Sequence, residues 1–126
     1  LRMGLYRRIN EIEDKAGIEA FAAELIDRFG KLPEPTKNLI DVIGVKLDCR
    51  AARIAKLDVG PKGALVTFAE GGFPDIPGLL AYVERLKGTA RLRPDEKLVI
   101  TRAWNDPRAR LHGASQLAKG LAKAAA

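Results

Sequence analysis

Cysteine and histidine are nearly absent, with Cys49 and His112 the only examples of each. A single cysteine forms no intrachain disulfide, and two such ligands cannot build a transition-metal centre. A Ser-His-Asp or Cys-His catalytic arrangement would have to run through His112, which sits beside Gly113 on a turn expected to be exposed. Cys49 lies on a helical pattern, where a lone thiol packs as a small hydrophobe. Long apolar runs are missing as well: none approaches about 18 residues, and the stretch from Leu1 to Arg8 lacks the apolar core of a secretory signal. A cytoplasmic protein with no membrane partner is expected. There is no phosphate-binding G-x-x-x-x-G-K-[ST] motif, and Gly60-Pro61-Lys62-Gly63 joins two expected strands rather than a strand to a helix. No enzyme activity and no cofactor are expected of this stretch.

What the chain does have is enough apolar material to fold. Its 126 residues have room for one domain, which leaves no length for a second independent one. Hydrophobic residues at 47% and charged residues at 30% match soluble globular proteins. The opening without an initiator Met, in the middle of a helical pattern, reads as a piece of a longer protein.

Helical periodicity fills the first half. Tyr6, Ile9 and Ile12 begin one apolar stripe, and Ile18, Phe21, Leu25 and Phe29 continue it, with the joint between two helices expected near Ala16-Gly17. Gly30 should end the second helix at Phe29. Past Leu32-Pro33-Glu34-Pro35, a helix of about 18 residues is expected to carry Ile40, Ile43, Leu47, Arg50 and Ile54 on one stripe. The period then changes to two: Ala55, Leu57 and Val59 form one strand face, Ala64, Val66 and Phe68 the next, with a hairpin turn over Gly60–Gly63. A fourth helix should carry Ile76, Leu79, Leu80, Val83 and Leu86 and close at Gly88. Strands over 89–93 and 97–104 follow, and Asp106-Pro107 starts a last helix. Gly113 and Gly120 should weaken that helix, so its end over 117–126 is expected to fray. The fold class is α+β: a helical N-terminal half packed beside a small, mainly antiparallel sheet, with a C-terminal helix.

Charge offers two candidate surfaces. The balance of 22 Lys+Arg against 16 Asp+Glu, a net charge of +6, points to an anionic partner. Lys56, Arg91, Arg93, Lys97 and Arg102 fall on or beside the expected strands and could hold phosphates, although most of the aromatic residues that single-strand binders would interleave with such charge fall on apolar faces. The second surface is acidic. Glu24 and Asp27 stand three apart on a helix whose stripe leaves both on its flanks, with Arg28 four after Glu24. Spacing alone reads these three as a solvated face with a helical ion pair of about 0.3–0.5 kcal/mol, or as a docking face that presents carboxylates to arginines elsewhere.

The segment Glu24-Leu25-Ile26-Asp27-Arg28-Phe29-Gly30, with Leu32-Pro33 and Pro35 after it, resembles the signature of the C-terminal domain of the bacterial transcription-repair coupling factor. Tyr6-Arg7-Arg8-Ile9, the long helix and the hairpin leading into Val66-Thr67-Phe68 agree in order, and the likeness extends to about Trp104. It implies a regulatory domain over residues 1–126, with 1–16 a linker helix from an upstream motor. The family's members are ATP- and Mg-dependent translocases on double-stranded DNA that displace stalled RNA polymerase and recruit the excision-repair subunit UvrA. Their C-terminal domain folds back on an N-terminal UvrB-like module and competes with UvrA for it. By matching motif, the clamp contacts fall on Glu24 and Asp27, with Arg28 between them and Phe29. A basic DNA-binding accessory module is the alternative.

Overall fold

A computed structural model describes residues 2–86 and 88–125, with side chains from Arg7 onward. The expectation for the side chain of Tyr6 lies outside the described residues. Five helices and four strands follow in the order α1 (Arg2–Glu11), α2 (Lys15–Phe29), α3 (Glu34–Ala51), β1 (Ile54–Gly60), β2 (Gly63–Phe68), α4 (Ile76–Arg85), β3 (Ala90–Leu92), β4 (Leu98–Thr101) and α5 (Pro107–Ala125). This is the expected α+β class, with an antiparallel sheet and a C-terminal helix. The described residues form two compact units, parted between Leu47 and Asp48 inside α3.

The first unit is helical. Its first joint falls at Ile12–Asp14, upstream of the expected Ala16-Gly17, because the Asp14 carboxylate accepts from the Gly17 N–H at 2.7 Å and caps α2. Gly17 therefore sits inside the first turn instead of breaking the helix. At the other end Gly30 adopts φ +81° and its N–H donates to the Ile26 carbonyl at 2.8 Å, the expected stop. Ile18, Phe21, Leu25 and Ile43 are buried. Gly44 of α3 leaves room beside Ile18, where an added Cβ would stand 3.9 Å from Ile18 Cδ1. Phe29, expected on the buried stripe, is exposed: at the last residue of α2 the turn at Gly30 leaves little beyond it to cover the ring.

The second unit is a four-stranded antiparallel sheet in the order β1-β2-β4-β3, with α4 and α5. Val66 lies opposite Leu57 and Leu98, and Ala64 opposite Val59 and Ile100, so these residues share the inner face. Leu79, Tyr82, Leu117 and Leu121 of the two helices complete the core, with Phe68 and Phe73 edge to face at 5.6 Å. The turn is Pro61-Lys62, and Gly63 (φ +131°) lies so close to the Ile100 carbonyl that no side chain fits.

Several expectations change here. Arg50 and Ile54 leave the α3 stripe: Arg50 is exposed, and the chain turns at Arg53 (φ 58°) so that Ile54 opens β1. A bulge between Ile54 and Lys56 leaves Ala55 exposed, off the inner face. Strands β3 and β4 are shorter than expected, since Glu96 (φ 66°) and the Arg93–Asp95 pair hold their turn. Ile76 and Leu80 are more than half exposed because α4 buries only the Leu79–Tyr82 side.

The end of α5 does not fray as expected. Asp106 caps it, accepting from the Ala109 N–H at 2.8 Å, and it remains helical to Ala125 with Ala118 and Leu121 fully buried. The two glycines are the reason. An added Cβ at Gly120 would stand 2.6 Å from Tyr82 Cε1, and one at Gly113 would overlap the Trp104 indole. Both positions seat an aromatic ring against the helix backbone.

Candidate functional site

The E-L-I-D-R-F-G segment forms the last two turns of α2, and its side chains divide as the 3.6-residue period requires. Leu25 points inward and is buried, Glu24 is half-buried on the flank, and Ile26, Asp27, Arg28 and Phe29 are exposed. Glu24 pairs with Arg8 of α1 and not with Arg28, so the expected helical ion pair gives way to a bridge between two helices. Arg8 also spreads its guanidinium over the Phe21 ring, 5.3 Å from the centroid, which fixes the cation beside the carboxylate. Glu24 is thus already bound to an arginine, while Asp27 faces solvent.

Beside these carboxylates is apolar surface that the period did not reveal. Ile26 is 51% exposed and Phe29 58%. Next to them Phe29, Leu32, Pro33 and Leu39 line a groove of about 360 Å³ with Phe21 and Leu25 at its base. An exposed isoleucine and phenylalanine beside a free carboxylate form the mixed surface that protein interfaces use, apolar at the centre and charged at the edge. The signal was present in the stop at Gly30: a helix that ends directly after an aromatic residue leaves that residue less covered than its period implies.

The basic candidates are spread more widely. Register places Lys56, Leu65, Val99 and Arg91 on the outer face of the sheet, with Arg93 and Lys97 on the same side by alternation. Lys56 stands on β1 and Arg91 on β3, the two outermost strands, about 14 Å apart at ordinary strand spacing. Lys56 is 3.7 Å from Asp58, Arg93 is 2.8 Å from Asp95, and half-buried Leu65 and Val99 lie between the two edges. The structure brings Arg91, Arg93 and Lys97 together and leaves Lys56 apart. Arg102, just beyond β4, is half-buried and donates from Nη1 to the Thr101 carbonyl at 3.0 Å.

His112 is exposed on α5, as expected. Cys49 is half-buried, and burial, seconded by the charge of Asp48, pushes its thiol above the ordinary range, which disfavours the nucleophilic thiolate. Among the described residues no group of three His, Cys, Asp or Glu could hold a metal ion, and no helix is long and apolar enough to cross a membrane.

A family model described as the TRCF domain matches residues 1–79, a span that includes all of α1, α2 and α3. The chain is similar to the transcription-repair-coupling factor of Rickettsia bellii, 39% identical over 101 residues, which covers 79% of this chain and 9% of that protein. It is similar to the one of Rickettsia conorii at 38% over 107 residues, 84% of this chain and 9% of that protein. The likeness to the Escherichia coli protein is 27% over 120 residues, 95% of this chain and 10% of that protein. The chain thus spans about 9% of the length of the curated relatives it matches.

Proposed function

Because this chain belongs to the transcription-repair-coupling factor family, we propose that it is the family's C-terminal regulatory domain, a clamp that docks through the end of α2 on an N-terminal UvrB-like module of the same protein. The parent is an ATP-dependent translocase on double-stranded DNA that displaces stalled RNA polymerase. The clamp covers the surface that UvrA would use and restrains the motor until polymerase is engaged. The observation that carries this reading is the exposed Asp27 between exposed Ile26 and Phe29, with Glu24 one turn away and already selecting an arginine. A partner arginine would take the place of Arg8 on Glu24 while another meets Asp27, and the apolar pair would fill the centre of the contact.

Such a clamp has to open. Charge-assisted hydrogen bonds of about 1.5–3 kcal/mol each hold firmly enough to populate the closed state and weakly enough for a second ligand to reverse it. Exchange of one arginine for another on Glu24 keeps that difference small, because the open state retains its own ion pair.

Replacing both carboxylates by arginine, Glu24→Arg with Asp27→Arg, in the complete protein should raise UvrA affinity and basal ATPase activity by about tenfold or more, the loss of one such bond. Circular dichroism of this chain carrying both changes should be that of the unchanged chain, since neither residue belongs to the core. Unaltered UvrA affinity in the folded double variant would sink the clamp reading.

A further inference from the structure

The second unit contains a cavity of about 380 Å³ lined by Tyr82, Ile100, Arg102, Trp104, His112 and Gln116, and no carboxylate is among its lining residues. Donors there exceed acceptors. Tyr82 is only 9% exposed, and neither its hydroxyl nor the indole N–H of Trp104 has a hydrogen-bond acceptor among the described residues. Trp104 is half-buried, and both groups can donate to a ligand that enters the cavity. Arg102 uses Nη1 on the Thr101 carbonyl, which orients the guanidinium and leaves its other N–H groups unassigned, and Arg85 adds positive charge over the Tyr82 ring at 5.7 Å. The rings themselves are held in place from behind, because Gly113 and Gly120, two helical turns apart on α5, let Trp104 and Tyr82 lie against the helix backbone.

Positive charge, surplus donors and two fixed aromatic walls call for a ligand that joins an oxyanion to a flat ring. A carboxylate has two oxygens for these donors, whereas a phosphate monoester has three. We infer that this cavity binds a 5′-phosphorylated nucleoside, with its phosphate on Arg102 and the Tyr82 hydroxyl and its base against Trp104. The same chemistry is offered by a free nucleotide and by the 5′ end of a DNA strand. The site is on the unit that holds the sheet, and it stands or falls independently of the docking surface on α2.

Trp104 is the only tryptophan, so its fluorescence reports the site directly in this 126-residue chain. Titration with adenosine monophosphate should change the emission saturably in the submillimolar range, and adenosine without phosphate should bind at least about tenfold more weakly, the value of one charge-assisted contact. Arg102→Gln should weaken the nucleotide by a similar factor. Gln116→Glu, at an exposed helix position that does not threaten folding, brings a carboxylate to the phosphate and should do the same. A trinucleotide with a 5′ phosphate that binds more tightly than the free nucleotide assigns the site to strand ends, and the reverse order assigns it to free nucleotides. No saturable change up to about 10 mM nucleotide, or an affinity unaltered by Gln116→Glu, overturns the inference.

Discussion

Single residues carry most of what is chemical in this chain, and two of them act through burial. Cys49 and Tyr82 both have their pKa values raised, first by desolvation; the charge of Asp48 adds to the shift of Cys49, while Arg102 and Arg85 partly oppose that of Tyr82. In each the folded state holds its proton more tightly than the unfolded chain does. Stability from these groups is therefore complete below their ordinary values and falls as pH rises through the thiol and phenol range. Urea titrations at increasing alkaline pH should show this decline, and Cys49→Ala and Tyr82→Phe should each make it shallower. An unchanged slope in both variants would mean that other groups cause it. At this scale the carboxylates of the candidate site were legible as off-stripe positions, but the partner of Glu24 was not. Periodicity within α2 pointed to Arg28, whereas Arg8 reaches Glu24 from another helix.

Elements were legible where one periodic signal acted alone, and misread where a side chain competed with it. Helices α3 and α4 and the β1–β2 hairpin lie close to where apolar spacing puts them. The joint before α2 moved because capping by Asp14 outranks the helix-breaking tendency of Gly17. In α5 the glycines by themselves signal weakness, since each costs about 1 kcal/mol against alanine in an isolated helix. Their neighbours reverse that reading: Gly120→Ala gains the propensity but drives a methyl group into the Tyr82 ring, where overpacking costs about 1–3 kcal/mol. The net change in urea unfolding should be a loss of up to about 2 kcal/mol, and a more stable variant would show that the ring is free to move aside. A glycine spaced two turns from another on an amphipathic helix can therefore mark the seat of an aromatic ring that only the tertiary structure supplies.

Charge is the property that changes most between the part and the whole. The net charge of +6 suggests a nucleic-acid surface. The sheet divides its cations between opposite edges, ties Lys56 to Asp58 and Arg93 to Asp95, and puts Leu65 and Val99 between them. A phosphate backbone needs several cations in register to displace its counterions. This chain should accordingly give little or no gel shift of duplex DNA at moderate salt, and Arg91→Ala with Arg93→Ala should leave that result unchanged. Salt-sensitive binding lost in that double variant would restore the accessory-module alternative. The exposed acidic and apolar end of α2 becomes the surface to test first, although it carries the minority charge.

The sheet order β1-β2-β4-β3 also has a consequence for how the chain is made. Pairing of β2 with β4 joins Ala64 to Ile100, and the same core closes between Ala52 and Leu121. Nearly the whole second unit must therefore leave the ribosome before its centre can be sealed, whereas the buried contacts of the first unit span only residues 18–43. Long-range closure of this kind is slow compared with local helix formation. Synthesis thus sets an order in time: the segment that bears the exposed acidic and apolar end of α2 can be structured while the strands that follow it in sequence are still being translated.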